Sequence, residues 1–157
     1  MVTKRKAPAR RSTSARRTPV RFEDLTVKDI VNARVQSARL DLTGDKVASL
    51  LVKAGGALPV VDKSKQLLGV VSEHDVLLAL DEGQAWTTRT AEDLMSANPY
   101  SVRPETSVPT LVHVLTESDL LSVPVVNEAN RLLGVVTRRD VVRAALRSAA
   151  KRRSSSG

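Results

Sequence analysis

The sequence predicts a mixed α/β fold in which one β-α-β-β-α unit of about 60 residues occurs twice and the copies pack as one unit. Three observations predict it. First, Pro59-Val60-Val61, Leu67-Leu68-Gly69-Val70-Val71 and Asp75-Val76 recur as Pro124-Val125-Val126, Leu132-Leu133-Gly134-Val135-Val136 and Asp140-Val141. Second, 10 of the 18 positions from Pro59 to Val76 are identical 65 residues later, and a fixed period of this kind marks a repeated supersecondary unit. Third, apolar residues make up 41% of the chain and aromatics only 2%, so Val, Leu, Ile and Ala must fill the core. Neither copy carries enough apolar surface to close a core by itself.

Each copy begins alike. Thr26 and Thr90 are placed as N-caps of short helices with acid in the first turn. Short extended segments follow, around 36–41 and 100–103. An amphipathic helix comes next. In the second copy Ser107 is its cap, and Pro109 sits in the first turn, where a missing N–H costs nothing. Val108, Leu111, Val112 and Leu115 then fall at i, i+3, i+4 and i+7, one helical face. Strands at 58–62 and 67–72 are joined by the polar turn Lys63-Ser64-Lys65-Gln66, and their counterparts are 123–127 and 132–137. Helices at 73–81 and 138–150 close the copies. Upstream the repeat offset is 64, and the change falls in the loop 53–57, where a deletion is cheap.

The expected organisation is a basic tail at 1–22, repeats at 23–82 and 90–150, a connector at 83–89 whose Trp86 staples the halves, and a second basic tail at 151–157. The tails hold Lys4, Arg5, Lys6, Arg10, Arg11, Arg16, Arg17 and Arg21 at one end and Lys151, Arg152 and Arg153 at the other. With almost nothing apolar, both are expected to be disordered. Between them lie 14 basic and all 17 acidic residues, so the folded part is mildly acidic. The tails are the one feature that suggests nucleic acid as a partner, by charge alone, because no aromatics interleave to stack on bases.

Several function classes are excluded. The absence of Cys rules out disulfides and thiolate metal sites. His74 and His113 are too far apart in sequence to suggest a zinc pair, and His113, beside Val112 and Val114, is a packed or surface histidine. No apolar run approaches the ~18 residues of a membrane span. The basic N-terminus lacks the apolar stretch of a secretory signal, so a cytoplasmic location is expected. No nucleophile–base pair, paired carboxylates or phosphate-binding Gly-rich loop occurs. A non-enzyme with no catalytic residues and no required cofactor is therefore expected.

The chemistry lies in Gly69-Val70-Val71-Ser72-Glu73-His74-Asp75 and Gly134-Val135-Val136-Thr137-Arg138-Arg139-Asp140. Each is a strand that ends on a hydroxyl residue and opens a helix. Ser72 and Thr137 are placed as N-caps, and the free N–H groups of a helix start attract anions. Asp75 and Asp140 suit the vicinal hydroxyls of a ribose, while Arg138, Arg139 and His74 add charge for phosphate. The same Ser/Thr-x-x-Asp spacing is equally a variant of the capping box, and the residues leave both readings open.

From Leu25 to about Leu146 the chain resembles the CBS domain family. The carrying segment is Leu58-Pro59-Val60-Val61-Asp62, a short turn, then Leu67 to Asp75, and its second copy gives the family's tandem arrangement. Asp93-Leu94-Met95, Asn98-Pro99 and Val102 resemble its leading segment. The resemblance implies that the two repeats pack as one pseudo-twofold module with two clefts, a non-enzymatic regulatory unit that binds an adenine nucleotide (AMP, ADP or ATP) or another adenosyl compound, pairs as a homodimer and acts on an unidentified regulated protein. It implies that Asp75 and Asp140 hold ribose and that Ser72 and Thr137 lie towards phosphate. His74, Arg138 and Arg139 would supply charge. Ala57, Leu58, Ser122 and Val123 would line the adenine pockets, with Ser37 and Ser101 nearby. The second-copy cleft, with two arginines, is expected to bind more tightly. The alternative is a nucleic-acid-associated protein that uses its basic tails, the CBS pair serving as a dimerising scaffold. Departures from the family pattern are Gly44 where the second copy has Val108, the Gly55-Gly56 loop, Asn127 where Asp is usual and His74 where Arg is common.

Overall fold

The computed structural model describes residues 20–157, so nearly all of the expected N-terminal tail lies outside the described residues. After a 3-10 turn at Phe22–Asp24 the elements are α1 Val27–Ile30, β1 Ala38–Arg39, α2 Gly44–Ala54, β2 Ala57–Val61, β3 Leu67–Ser72 and α3 Glu73–Asp81. The second copy contributes α4 Ala91–Leu94, β4 Ser96–Ala97, α5 Val108–Glu117, β5 Ser122–Val126, β6 Leu132–Thr137 and α6 Arg138–Ser155. The predicted α/β repeat architecture is the observed one. Its first extended segment is reduced to two residues, and in the second copy to a bridge between Val102 and Val125.

Strands β1 to β4 form one sheet in that order, and β5 and β6 form another. The two hairpins share one design. Ala57 pairs with Ser72 as Ser122 pairs with Thr137, and both ladders shift register at the second Val of Pro-Val-Val. Lys65 and Asn130 hold the left-handed turn positions, with φ of 65° and 60°. The Asp62 carboxylate accepts from the N–H groups of Ser64 and Gln66 at 2.8 and 2.9 Å. The Asn127 side-chain oxygen accepts from those of Ala129 and Arg131, both at 3.0 Å. An amide oxygen serves this turn as well as a carboxylate, so the departure at Asn127 leaves the fold intact. The turns also pair with each other, Leu67 N–H donating to Asn130 O at 3.0 Å and Leu132 N–H to Lys65 O at 2.9 Å. That seam joins the sheets across the pseudo-twofold axis.

Two apolar cores form, and each borrows a helix from the other repeat. Val27 and Ile30 of α1 pack with Val108, Leu111, Leu115, Val123, Val125 and Val136 of the second copy. Ala91 and Leu94 of α4 pack with Val47, Leu51, Leu58, Val60 and Val71 of the first. The repeats seen in sequence are therefore not the units that close the cores. The exchange explains the paired glycines of β3 and β6. A Cβ on Gly69 would lie 2.5 Å from Met95 Sδ and 2.8 Å from Ser96 O, and one on Gly134 would lie 2.4 Å from Asn32 O. The segment leaving each exchanged helix crosses so closely that only a hydrogen fits.

Three expectations need correction. The C-terminal basic segment is helical to Ser155. Alanines favour helix, and Arg152 and Arg153 in its last turn face the negative end of the helix dipole. Arg152 also reaches Glu23 at 3.4 Å. At the other end the tail stops short of Phe22, which packs on the second core. Trp86 does not bridge two separate halves, because the first core against which it packs already contains α4.

Candidate functional site

The strand-to-helix junctions β3–α3 and β6–α6 place the predicted motifs. Ser72 N–H and Oγ donate to Asp75 Oδ2 at 2.7 and 2.9 Å, and Asp75 N–H donates back to Ser72 Oγ at 3.3 Å. Thr137 and Asp140 repeat the arrangement at 2.8, 2.9 and 3.1 Å. The capping reading is thus correct for both motifs. It engages one carboxylate oxygen only. Oδ1 of each Asp makes no hydrogen bond among the described residues, so capping leaves an acceptor free.

Each junction opens onto a cleft. The wider, of ≈ 800 Å³, brings Ala57, Ser72, His74 and Asp75 together with residues 96–100 of the second copy's leading segment and residues 118–122 of its α5–β5 loop. The narrower, of ≈ 300 Å³, brings Ser122, Val135 and Thr137 together with Asn32, Arg34, Val35 and Gln36 and the loop residues Lys53, Ala54 and Gly55. Both clefts meet at Ala57 and Ser122, on either side of the pseudo-twofold axis. Both are of a size suited to a small ligand.

Other expected residues lie elsewhere. Leu58 and Val123 are fully buried in the two cores and line neither cleft. Successive strand residues face opposite sides, so Ala57, Pro59, Ser122 and Pro124 meet the clefts while Leu58 and Val123 turn inward. Ser37 and Ser101 are likewise off the linings, which their neighbours Gln36 and Tyr100 reach instead. Arg138 is spoken for: its Nε donates to Leu120 O at 2.6 Å and its NH2 to Asp119 Oδ1 at 2.8 Å. Arg139 is exposed on the first turn of α6, beside Asp140. Of the second motif only Val135 and Thr137 line the narrower cleft; Arg138, Arg139 and Asp140 do not.

Sequence reasoning missed Arg34, Lys53, Asn98, Tyr100, Asp119 and Leu121. The exchanged packing brings them in, and only the Asn98-Pro99 pair gave a local signal. Carboxyls held below their ordinary range are structural. Asp93 is lowered by the Thr90 N–H and hydroxyl, Asp62 by the Ser64 hydroxyl and the Gln66 N–H, and Asp45 by the Thr43 hydroxyl. Among the described residues no cluster of three or more His, Asp or Glu is placed to hold a metal, and no helix is long and apolar enough to cross a membrane.

Comparison with known proteins places this geometry. The chain is 31% identical over 159 residues to the chloroplastic CBS domain-containing protein CBSX2 of Arabidopsis thaliana, covering 82% of this chain and 66% of that protein. It is 26% identical over 126 residues to L-aspartate semialdehyde sulfurtransferase of Methanocaldococcus jannaschii, covering 80% of this chain but only 24% of that one. The crystal structure of CBSX2 in complex with AMP superposes with a TM-score of 0.71 at 33% identity, covering 78% of this chain and 96% of that chain. The CBS domain pair of protein MJ0100, in complex with 5′-methylthioadenosine and S-adenosyl-L-methionine, gives 0.68 at 27% identity, covering 76% and 98%. The sequence profile of the CBS domain matches residues 27–82 and 91–147, and the chain belongs to the CBS domain family, with two copies in tandem.

Proposed function

We propose that the protein is a non-enzymatic regulatory module that binds an adenine nucleotide or a related adenosyl compound in its clefts and passes that occupancy to another protein. The carrying observation is that Asp75 caps its helix through Oδ2 and keeps Oδ1 free on the lining of the wider cleft, while Asp140 repeats the cap behind Thr137, which lines the narrower one. Asp75 and Asp140 hold the ribose hydroxyls. Ser72 and Thr137, with the N–H groups of their helix starts and with His74 and Arg139, meet the 5′ substituent. The backbone beside Ala57 and Ser122 meets the base. The relatives crystallised with AMP, and with 5′-methylthioadenosine and S-adenosyl-L-methionine, support this reading. The nucleic-acid reading rests on the charge of the tails alone. A cytoplasmic location and homodimeric pairing belong to the same proposal.

Calorimetric titration with AMP, ADP, ATP, 5′-methylthioadenosine and S-adenosylmethionine tests it. At least one of these is expected to bind. Asp75→Ala removes a charged acceptor worth about 1.5–3 kcal/mol, so affinity in the wider cleft should fall roughly ten- to a hundredfold. Asp93→Ala is the control, because Thr90 and Asp93 form a similar capping box away from both clefts. It should lower stability and leave affinity unchanged. If the two variants bind alike, Asp75 is only a cap.

A further inference from the structure

The clefts are related by symmetry, but their charges are not. We propose that they sort ligands by the charge of the 5′ substituent. The narrower cleft takes a 5′-phosphorylated adenosine nucleotide. The wider one takes an adenosine compound whose 5′ group is neutral or cationic, a thioether or a sulfonium. This rests on the adenosyl-binding reading above and adds which cleft holds which chemistry.

The repeat supplies an internal comparison. Arg34 lines the narrower cleft, and its counterpart in the wider one is Asn98. Lys53, also lining the narrower cleft, corresponds to Glu117 at the same 64-residue offset. Gly55, left-handed at the end of α2, corresponds to Asp119, also left-handed, which lines the wider cleft. Glu73, the first residue of α3, lines the wider cleft, while its counterpart Arg138 is bonded to Leu120 O and Asp119 and lines neither cleft. The differences among the lining residues make the narrower cleft the more positive. Its lining has two cations and no acid. The wider lining has Glu73, Asp75 and Asp119, with His74 between the first two and no Lys or Arg. Arg138 offsets Asp119 from behind, at 2.8 Å, and leaves Glu73 and Asp75 with no Lys or Arg on the lining beside them.

The helix starts are equivalent, so their dipoles attract anions equally, and the side chains decide. A phosphate entering the wider cleft meets the Glu73 carboxylate, whose counterpart in the second copy is Arg138, and like charges in a partly desolvated site oppose binding. A sulfonium meets the same carboxylate favourably. In the narrower cleft Arg34 and Lys53 bring donors for phosphate, Arg as a planar fork and Lys as a mobile point charge.

Calorimetry on the full chain with AMP and 5′-methylthioadenosine, separately and together, reads the sorting. The two should bind side by side, each titrating in full when the other is saturating. Arg34→Gln/Lys53→Gln should weaken AMP about tenfold or more and leave 5′-methylthioadenosine within about twofold. Arg34 and Lys53 are exposed, so the variant keeps its fold. Glu73→Lys should let a second AMP bind. Mutual competition between the two ligands overturns the sorting, as does an unchanged AMP affinity in the double variant. Binding of neither ligand overturns the adenosyl reading itself, an outcome distinct from binding without sorting.

Discussion

Gly44 stands at the start of α2, where the second copy has Val108 at the start of α5. Judged by helix propensity, replacing it would help, since Gly costs about 1 kcal/mol against Ala inside a helix. The structure reverses the sign. A Cβ there would lie 1.9 Å from Trp86 O and 3.4 Å from Arg89 O, while Gly44 N–H donates to Arg89 O at 2.7 Å. The connector is threaded against this one residue. Gly44→Val should therefore destabilise by about 1–3 kcal/mol or more, as overpacking does, and thermal unfolding would show it; a raised melting temperature would reject the account. The anomaly was legible as a broken repeat, but its cause was not, because the approach of the Trp86 carbonyl is a tertiary contact. Asn127 is the opposite case. It looked like a departure and proved equivalent, since the turn needs an acceptor oxygen and not a charge.

The elements were legible because their signals are local. The hydroxyl caps, Pro109 in the first turn and the apolar alternation of the hairpins each act within a few residues, and the four hairpin strands fall within one residue of where those signals put them, as α3 falls on its expected bounds, whereas β4 gave no such signal. The exchange of α1 and α4 was not legible. These helices have four residues each, and their apolar pairs suit either core. The capping motif also carried less information about function than its spacing suggested. The same box occurs at Thr26–Asp29 and Thr90–Asp93, off both cleft linings, and at Ser72–Asp75 and Thr137–Asp140, at the cleft junctions. Position in the fold separates the two uses. The Thr90–Asp93 box has a pH signature. Asp93, with Asp45 and Asp62, titrates below its ordinary value of 3.8 when folded. A lowered folded pKa contributes stability above the unfolded value, and that stability is lost as pH falls through the folded one. Stability should hold above about pH 5 and fall progressively below pH 4. Asp93→Asn should be less stable than wild type at neutral pH and converge on it in acid. Parallel curves for the two proteins down to pH 2 would show that Asp93 contributes nothing by its charge.

At the scale of the molecule, each repeat closes on a helix whose outer face is unusually apolar. Leu77, Leu78 and Leu80 of α3 are 60%, 45% and 49% exposed, and Val142 and Leu146 of α6 are 58% and 65% exposed. Single apolar residues on a surface need no explanation, but several on one short helix mark a surface that associates. Leu77 and Val142 occupy equivalent repeat positions, so the two closing helices offer similar faces. A twofold dimer uses one patch on both partners and buries it against itself, leaving no open end for further growth. The protein is expected to be a homodimer in solution. Light scattering should give twice the monomer mass of 17.0 kDa at micromolar concentration. Leu80→Glu/Leu146→Glu places two charges on the closing helices at positions that line neither cleft. It should shift the protein to monomer while leaving ligand affinity within a few fold. A wild-type monomer, with ligand and without it, would reject the dimer. A double variant that stays dimeric would move the interface off these helices, and the exposed leucines of α3 would then need another occupant.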